Sequence, residues 1–290
     1  MYMALDIRVV APAKINLNLK VLPPRDDGFH GIESIFQAVS LQDVLYIRPI
    51  LGKGQCLCSC DAMELPLDNT LVRAYKAFES VTRIQMPSVS VHVEKHIPAG
   101  GGLGGGSSDA AALVRGLEKL AGVKLSVSEC NDIAALVGSD VFFFFSLDEN
   151  GRGAALVSGR GEIVQNIDFR SDLYYLMILP GVNSSTKEAY SLVDQQYSEL
   201  EKLSFPSFER LRKIYALPPQ QWNFKNSFTA VLMEKYKSIA QALKLVNEAG
   251  ASFADMSGSG STVFGVFSTR ESAENAMGLV KGKYYCVIAQ

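Results

Sequence analysis

Histidine, tryptophan and cysteine are scarce: three, one and five in 290 residues. So few cysteines, in an odd number, exclude a small scaffold stapled by disulfides. Neither sign of charge is in excess, with 28 Lys and Arg against 30 Asp and Glu and a net charge of −2. Without surplus cations for a phosphate backbone, nucleic acid is not expected as a main partner. Long apolar runs are missing as well. The most apolar stretch, residues 141–145, is bounded by Asp140 and Asp148, far short of the ~20 residues a membrane helix needs. It reads as a buried strand, and no membrane partner is expected. The first eight residues have neither the layout of a secretory signal nor the Arg/Ser-rich look of a transit peptide. A cytoplasmic protein with reduced cysteines is expected.

What the sequence does have is a globular balance, 48% hydrophobic and 20% charged, over a length of about two domains at ~150 residues each. Residues 7–10, 15–22, 35–39 and 44–47 carry apolar side chains at period two and predict strands. Residues 69–81 have helical spacing, with Asp68 or Asn69 as N-cap. Val89, Val91 and Val93 make a further strand. Leu113, Leu117 and Leu120 predict a helix that Gly122 stops, and Ser126 with Glu129 has capping-box spacing for the next, ending at Gly138. The pattern resets near residue 160, so domains are expected at 1–160 and 161–290. Beyond that point residues 173–179 and 262–267 read as strands, with helical stretches between them. The class is α+β, helices packed on mostly antiparallel sheets.

Cys56, Cys58 and Cys60 alternate at strand period and share one face. Zinc sites use wider ligand spacing and a second cluster, so strand thiols fit better than a metal site.

Between strand 89–93 and the following helix lies Pro98-Ala99-Gly100-Gly101-Gly102-Leu103-Gly104-Gly105-Gly106-Ser107-Ser108. Six glycines in seven positions cost backbone entropy and need a reason, such as positive φ or close approach of a ligand. Strand, glycine loop and helix N-terminus together supply converging N–H donors, a positive dipole end and two serine hydroxyls, which suit a phosphate chain. Gly100, Gly102 and Gly105 satisfy the dinucleotide fingerprint, but the βαβ unit it requires does not follow. No Gly-Lys-Ser/Thr follows either, which excludes a Walker A loop, and no H-R-D or D-F-G supports a protein kinase. A flexible loop or glycine-tolerant turn is the plain alternative. Lys14, Asn16 and Asn18 share one strand face, and a polar row in a strand usually faces water. Asp140 is either a helix cap or a carboxylate at the edge of the core.

Three motifs in order, Pro12-Ala13-Lys14-Ile15-Asn16-Leu17, Pro98 through Ser108, and Met256-Ser257-Gly258-Ser259-Gly260, resemble the GHMP small-molecule kinases. Asp27-Gly28-Phe29-His30, Gly138-Ser139-Asp140-Val141 and the segment from Pro180-Gly181 to Thr186 are similar to the branch that phosphorylates a CDP-linked methylerythritol. The resemblance spans roughly residues 8–268. It implies a two-domain fold with the active site in the cleft between domains, ATP and Mg²⁺ as cofactors, and transfer of the γ-phosphate to the 2-hydroxyl of the substrate. It further implies Asp140 as base, with Lys14 orienting it and offsetting charge, and Asn16 near the alcohol. By the same resemblance the ATP phosphates rest on 98–108, with Mg²⁺ touching Ser108. Asn69 and Lys95 would lie near adenosine, and His30, Phe29, Tyr190 and Thr186 at the cytidine substrate. No acidic magnesium ligand stands out, and a monomer or homodimer is expected. A relative acting on mevalonate, homoserine or a sugar would not need His30 and Tyr190, and a silent ATP-binding protein would not need Lys14 and Asp140. Three positions depart from the pattern: Phe29 for tyrosine, Phe142 for proline, and Asn226-Ser227-Phe228-Thr229 for Asn-Asp-Leu/Phe-Glu.

Overall fold

A computed structural model describes residues 6–200 and 203–290. The chain forms two compact units that are interleaved in sequence, so no single cut separates them. Of the described residues, the first holds 6–13, 42–98 and 104–152, and the second holds 14–41, 99–103, 153–200 and 203–290. The interleaving comes from two strands much longer than their apolar patches suggest, β1 (Ile7–Pro24) and β2 (His30–Lys53). The four strands expected from residues 7–47 are the segments of this pair, which passes through both units.

In the first unit the second half of β2 pairs antiparallel with β4 (Pro87–Glu94), Val44 opposite Glu94. β3 (Cys56–Cys60) adds to β4 in parallel and forms the sheet edge. Helices α1 (Thr70–Thr82), α2 (Gly105–Ala121) and α3 (Val127–Val137) follow their sequence signals closely. Asn69 caps α1 by accepting from Leu71 and Val72 N–H, Ser126 and Glu129 form the capping box of α3, and Gly122 ends α2 in a left-handed conformation. Leu71, Tyr75, Phe78, Leu113, Leu117 and Ile133 are buried, as their 3.6-residue spacing requires.

Residues 141–145 are a helix, α4 (Val141–Phe145), and not the strand expected. An apolar run of five does not distinguish the two by periodicity. Here Val141, Phe143 and Phe144 turn inward, and the Arg115 guanidinium donates to the Phe144 and Leu147 carbonyls at the helix end.

In the second unit the first half of β2 pairs with β5 (Ala154–Ser158), which pairs with β6 (Ile163–Ile167), both antiparallel. A separate antiparallel sheet has the order β10-β7-β9-β8, with β7 (Tyr174–Leu179), β8 (Phe253–Met256), β9 (Val263–Phe267) and β10 (Tyr285–Ala289). Helices α5 (Thr186–Gln195), α6 (Tyr197–Leu200), α7 (Phe208–Tyr215), α8 (Ser227–Lys235), α9 (Lys237–Glu248) and α10 (Arg270–Val280) complete it. Its core joins Leu19 and Val21 of β1 to Leu176 and Ile178 of β7, Phe228 and Leu232 of α8, and Ile239 and Val246 of α9. Burial of each such side chain contributes about 1.5–3 kcal/mol. Among the described residues no helix is long and apolar enough to cross a membrane.

Candidate active site

Lys14, Asn16 and Asn18 are buried at 4%, 1% and 1% exposure, so the polar row of β1 does not face water. Burying an ammonium and two amides is costly unless each is hydrogen-bonded, and here each is. Lys14 Nζ donates to Asn16 Oδ1 at 2.7 Å and to the Gly102 carbonyl at 3.2 Å, and it lies 4.7 Å from the centre of the Phe36 ring. Asn16 Nδ2 donates to Ser34 Oγ, which itself donates to the Asn18 carbonyl. Asn18 Oδ1 accepts from Lys225 N–H and its Nδ2 donates to the Glu33 carbonyl. The Lys14 N–H bonds to the Leu103 carbonyl, so β1 is stitched to the glycine loop by backbone as well as side chain.

The loop explains its own composition. Gly100, Gly102 and Gly104 hold φ of +70°, +76° and +72°, where a side chain is strained. A Cβ on Gly105 would stand 3.0 Å from Ile97 Cγ2 and 3.2 Å from Lys95 Nζ. Gly104 is the N-cap of α2, whose first turn carries no acidic side chain; its carbonyl takes the Ser107 and Ser108 N–H groups, and the N–H groups before those have no helical carbonyl one turn earlier to bond. Ser108 Oγ is buried without a hydrogen-bond partner. A hydroxyl left orphaned beside the glycine loop fits a cation that travels with a nucleotide. Among the described residues no cluster of three His, Cys, Asp or Glu side chains is placed to hold a metal ion, Cys56, Cys58 and Cys60 included.

Two residues that look ordinary in the sequence hold this loop and the segment just before it. Ser257 Oγ donates to the Gly102 carbonyl at 3.0 Å and accepts from Asn16 N–H, tying the turn at 257–261 to the strand row. Asp43, with no exposure, accepts from His96 and Ile97 N–H through Oδ1 and from Lys95 Nζ at 2.5 Å through Oδ2. Lys95 also reaches Asp109 Oδ2 at 2.9 Å. Burial works against the Lys95 ammonium, yet the two carboxylates raise it overall. Burial pushes Asp109 up despite Lys95, and the like charge of Asp43 adds to the rise. Asn69 lies in this unit too, its amide donating to the Pro66 carbonyl while its oxygen caps α1. Asp140 stands at the N-cap position of α4, half-buried, and its side chain does not cap the helix.

His30 opens β2 in the second unit. Its Nδ1 is 2.7 Å from the Leu22 carbonyl, which only accepts, so that nitrogen carries a hydrogen; Nε2 is 3.0 Å from Asp194 Oδ1. The Tyr190 ring, on α5, lies 5.3 Å from the imidazole and packs edge-on against Phe228. Thr186 starts α5 with Oγ1 3.1 Å from Ser259 Oγ. Phe29 is half exposed, with the Arg160 guanidinium 3.8 Å over its ring. Beside them a cavity of about 450 Å³ is lined by Leu22, Arg25, Ile32, Glu33, Gly159 and Phe208.

The departures at 226–229 have local partners. Asn226 donates to the Met256 and Gly258 carbonyls and caps α8, Ser227 Oγ accepts from Val21 N–H, and Thr229 Oγ1 donates to Asp255 Oδ1. Asp255 is buried with no cation among its hydrogen-bond partners, and burial pushes it up to about 7, with the Thr229 hydroxyl and the Met256 N–H pulling the other way. The folded state therefore binds a proton between pH ~4 and 7 that the unfolded chain has released. Asp255 favours folding fully below pH ~4, and that contribution is lost as pH rises through about 7. Asp255→Asn keeps the acceptor and should be more stable than the parent above pH ~7, by a few kcal/mol at most, since each tenfold difference in proton affinity between folded and unfolded chain is worth ~1.4 kcal/mol. Urea unfolding from pH 4 to 8 reads this directly, and parallel curves for the two proteins would remove the assignment.

A buried lysine bonded to a glycine-rich loop that leads into a helix suits a phosphate ligand, and the chain is a small-molecule kinase of the GHMP class. Residues 69–146 match the GHMP kinases N terminal domain and residues 197–285 the GHMP kinases C terminal domain. The chain is 38% identical over 284 residues to a 4-diphosphocytidyl-2-C-methyl-D-erythritol kinase of Treponema pallidum, with 96% of each chain covered. It superimposes on the crystal structure of a 4-(cytidine 5'-diphospho)-2C-methyl-D-erythritol kinase with TM-score 0.80 at 26% identity, covering 98% of both chains. A homoserine kinase from Cytophaga hutchinsonii shares the fold at TM-score 0.67 and 20% identity, covering 100% of this chain and 96% of the other. The chain belongs to the 4-diphosphocytidyl-2-C-methyl-D-erythritol kinase family.

Proposed function

We propose that the protein transfers the γ-phosphoryl group of ATP to the 2-hydroxyl of 4-diphosphocytidyl-2-C-methyl-D-erythritol, a step of non-mevalonate isoprenoid precursor synthesis in the cytoplasm. The observation that carries the mechanism is the buried Lys14 ammonium, aimed by Asn16 Oδ1 and by the carbonyl of Gly102 in the glycine loop. Phosphoryl transfer passes through a loose transition state whose charge spreads over the equatorial oxygens, so positioning and electrostatic stabilisation do most of the work. Lys14 and the N–H groups at the start of α2 supply that stabilisation from fixed positions. Asp140 takes the hydroxyl proton, and Asn16 hydrogen-bonds near the alcohol. Residues 98–108 hold the ATP phosphates, and Asn69 and Lys95 lie on the adenosine side. Mg²⁺ bound with ATP would neutralise β- and γ-oxygen charge, and Ser108 is the hydroxyl that would touch it.

His30 reads the cytosine edge, Tyr190 and Phe29 offer ring faces, and Thr186 lines the same side. Nε2 of His30 is held by Asp194, so the base takes over a hydrogen bond that already exists and fixes the ring. His30→Ala should raise KM for the cytidine substrate about tenfold or more, the cost of one buried hydrogen bond at ~1–3 kcal/mol. KM for ATP should stay unchanged. Steady-state kinetics with each substrate varied decides it, and a shift in KM for ATP alone would move His30 out of the cytidine site. The reaction itself is tested by mass and NMR analysis of the product. A phosphate ester at C2 supports the reading, and phosphate on another hydroxyl overturns it.

A further inference from the structure

A second group of reactive side chains, on β3, has no part in the roles assigned above and meets them only at Asn69. Cys56, Cys58 and Cys60 share one face of that strand and are all half-buried. Cys56 Sγ and Cys58 Sγ are 3.6 Å apart, within contact of two sulfurs. The Cys56 thiol and then the Asn69 amide, through hydrogen bonds, hold the Cys58 thiol below its usual value, against burial. Cys56 is pushed up by the same pairing and by burial. The Asn69 amide supports a thiolate on Cys58, and the Cys56 sulfur stands at contact distance from it, which is the arrangement of an attacking and a resolving cysteine.

We propose that Cys56 and Cys58 form a peroxide-sensitive dithiol switch. The Cys58 thiolate attacks a peroxide oxygen, the O–O bond breaks, and hydroxide leaves and is protonated to water. The Cys56 sulfur, giving up its proton, then attacks the sulfenic sulfur of Cys58, the S–O bond breaks and a second water leaves. Two thiols are oxidised by two electrons and hydrogen peroxide is reduced to two waters. Residues two apart on an extended strand are separated by ~6.4–6.8 Å at Cα, the upper limit of what a disulfide spans. β3 must therefore shorten locally, which an edge strand bonded on one side only allows. A bridge formed under that constraint is easily reduced again by a dithiol, as a reversible device requires.

The bridge also removes the thiol that the Asn69 amide bonds, and Asn69 is the N-cap of α1. This consequence rests on the proposed placement of Asn69 beside adenosine: the oxidised protein should show a several-fold higher KM for ATP at unchanged turnover. The test treats the full-length protein with stoichiometric hydrogen peroxide, blocks remaining thiols with an alkylating agent, and maps peptides by mass. The expected result is a Cys56–Cys58 bridge that forms several-fold faster than Cys130 or Cys286 is oxidised and is reversed by dithiothreitol. Cys56→Ser should trap a sulfenic acid on Cys58 that dimedone labels, Cys58→Ser should abolish the response, and Cys60→Ser should leave it intact. A bridge to Cys60, or equal oxidation of all five cysteines, overturns the pair. A bridge with unchanged KM for ATP overturns the switch, and absence of any ATP turnover in the reduced protein would instead contradict the kinase reading.

Discussion

Asp140→Ala is expected to lower turnover by about 10²–10⁴-fold, the range for loss of a positioned base, with KM for ATP little changed. The two effects separate because they belong to different structures. Asp140 sits at the N-cap position of α4 with its carboxylate not used for capping, so removing it should leave the helix standing. The glycine loop is built elsewhere, from residues with left-handed φ and the first turn of α2. A base acts only as the hydroxyl loses its proton, so its loss appears in kcat and in kcat/KM equally. Asp140→Asn keeps the volume and should be as inactive as the alanine variant. Equal losses in turnover and ATP affinity would remove Asp140 from the role of base.

Gly102→Ala should be the most damaging single methyl group in the glycine loop. Its Cβ would fall 2.2 Å from the Ser257 carbonyl oxygen and 3.1 Å from that of Gly260, both backbone atoms that cannot swing aside, at a φ of +76°. The Gly102 carbonyl accepts from Lys14 Nζ and from Ser257 Oγ, so displacing it disturbs the ammonium and the 257–261 turn together. A stability loss of about 1–3 kcal/mol from strain is expected, together with a rise in KM for ATP and a fall in turnover. Gly122→Ala is the control, since that glycine has a φ of +67° and open space around the added atom. It should cost stability through backbone strain alone and leave both kinetic constants unchanged. Denaturant unfolding and steady-state kinetics on the two variants separate crowding at the loop from left-handed strain in general.

Local signals were legible wherever the chemistry is local. The Asn69 cap, the Ser126–Glu129 box and the Gly122 stop are read within a few residues, and each appears as the spacing implies. The glycine loop was legible for the same reason, since six glycines in seven positions need positive φ or close approach and the structure uses both. What stayed hidden depends on partners far along the chain. Period-two alternation put Lys14, Asn16 and Asn18 on one face but did not show that the face is covered, because Gly102, Lys225 and Ser257 lie 88 to 241 residues away. Asp43 and Ser34 look like ordinary strand residues, and only the fold places them against Lys95 and Asn16. Residues 141–145 went the other way, since five apolar residues carry no period and tertiary packing made them a helix. Ser227 and Thr229 show how departures are absorbed: each hydroxyl takes one specific partner, Val21 N–H or Asp255, in place of a carboxylate.

The measurement that tests the central claim most directly is ATP-dependent ADP release with Mg²⁺ and 4-diphosphocytidyl-2-C-methyl-D-erythritol, run beside mevalonate, homoserine and galactose. On the proposed mechanism Lys14 and the glycine loop would act on any acceptor, whereas His30 and Tyr190 would serve only a cytidine-linked one. Turnover with the cytidine substrate alone is the predicted result. Turnover with one of the other alcohols, or with none of the four, would contradict it.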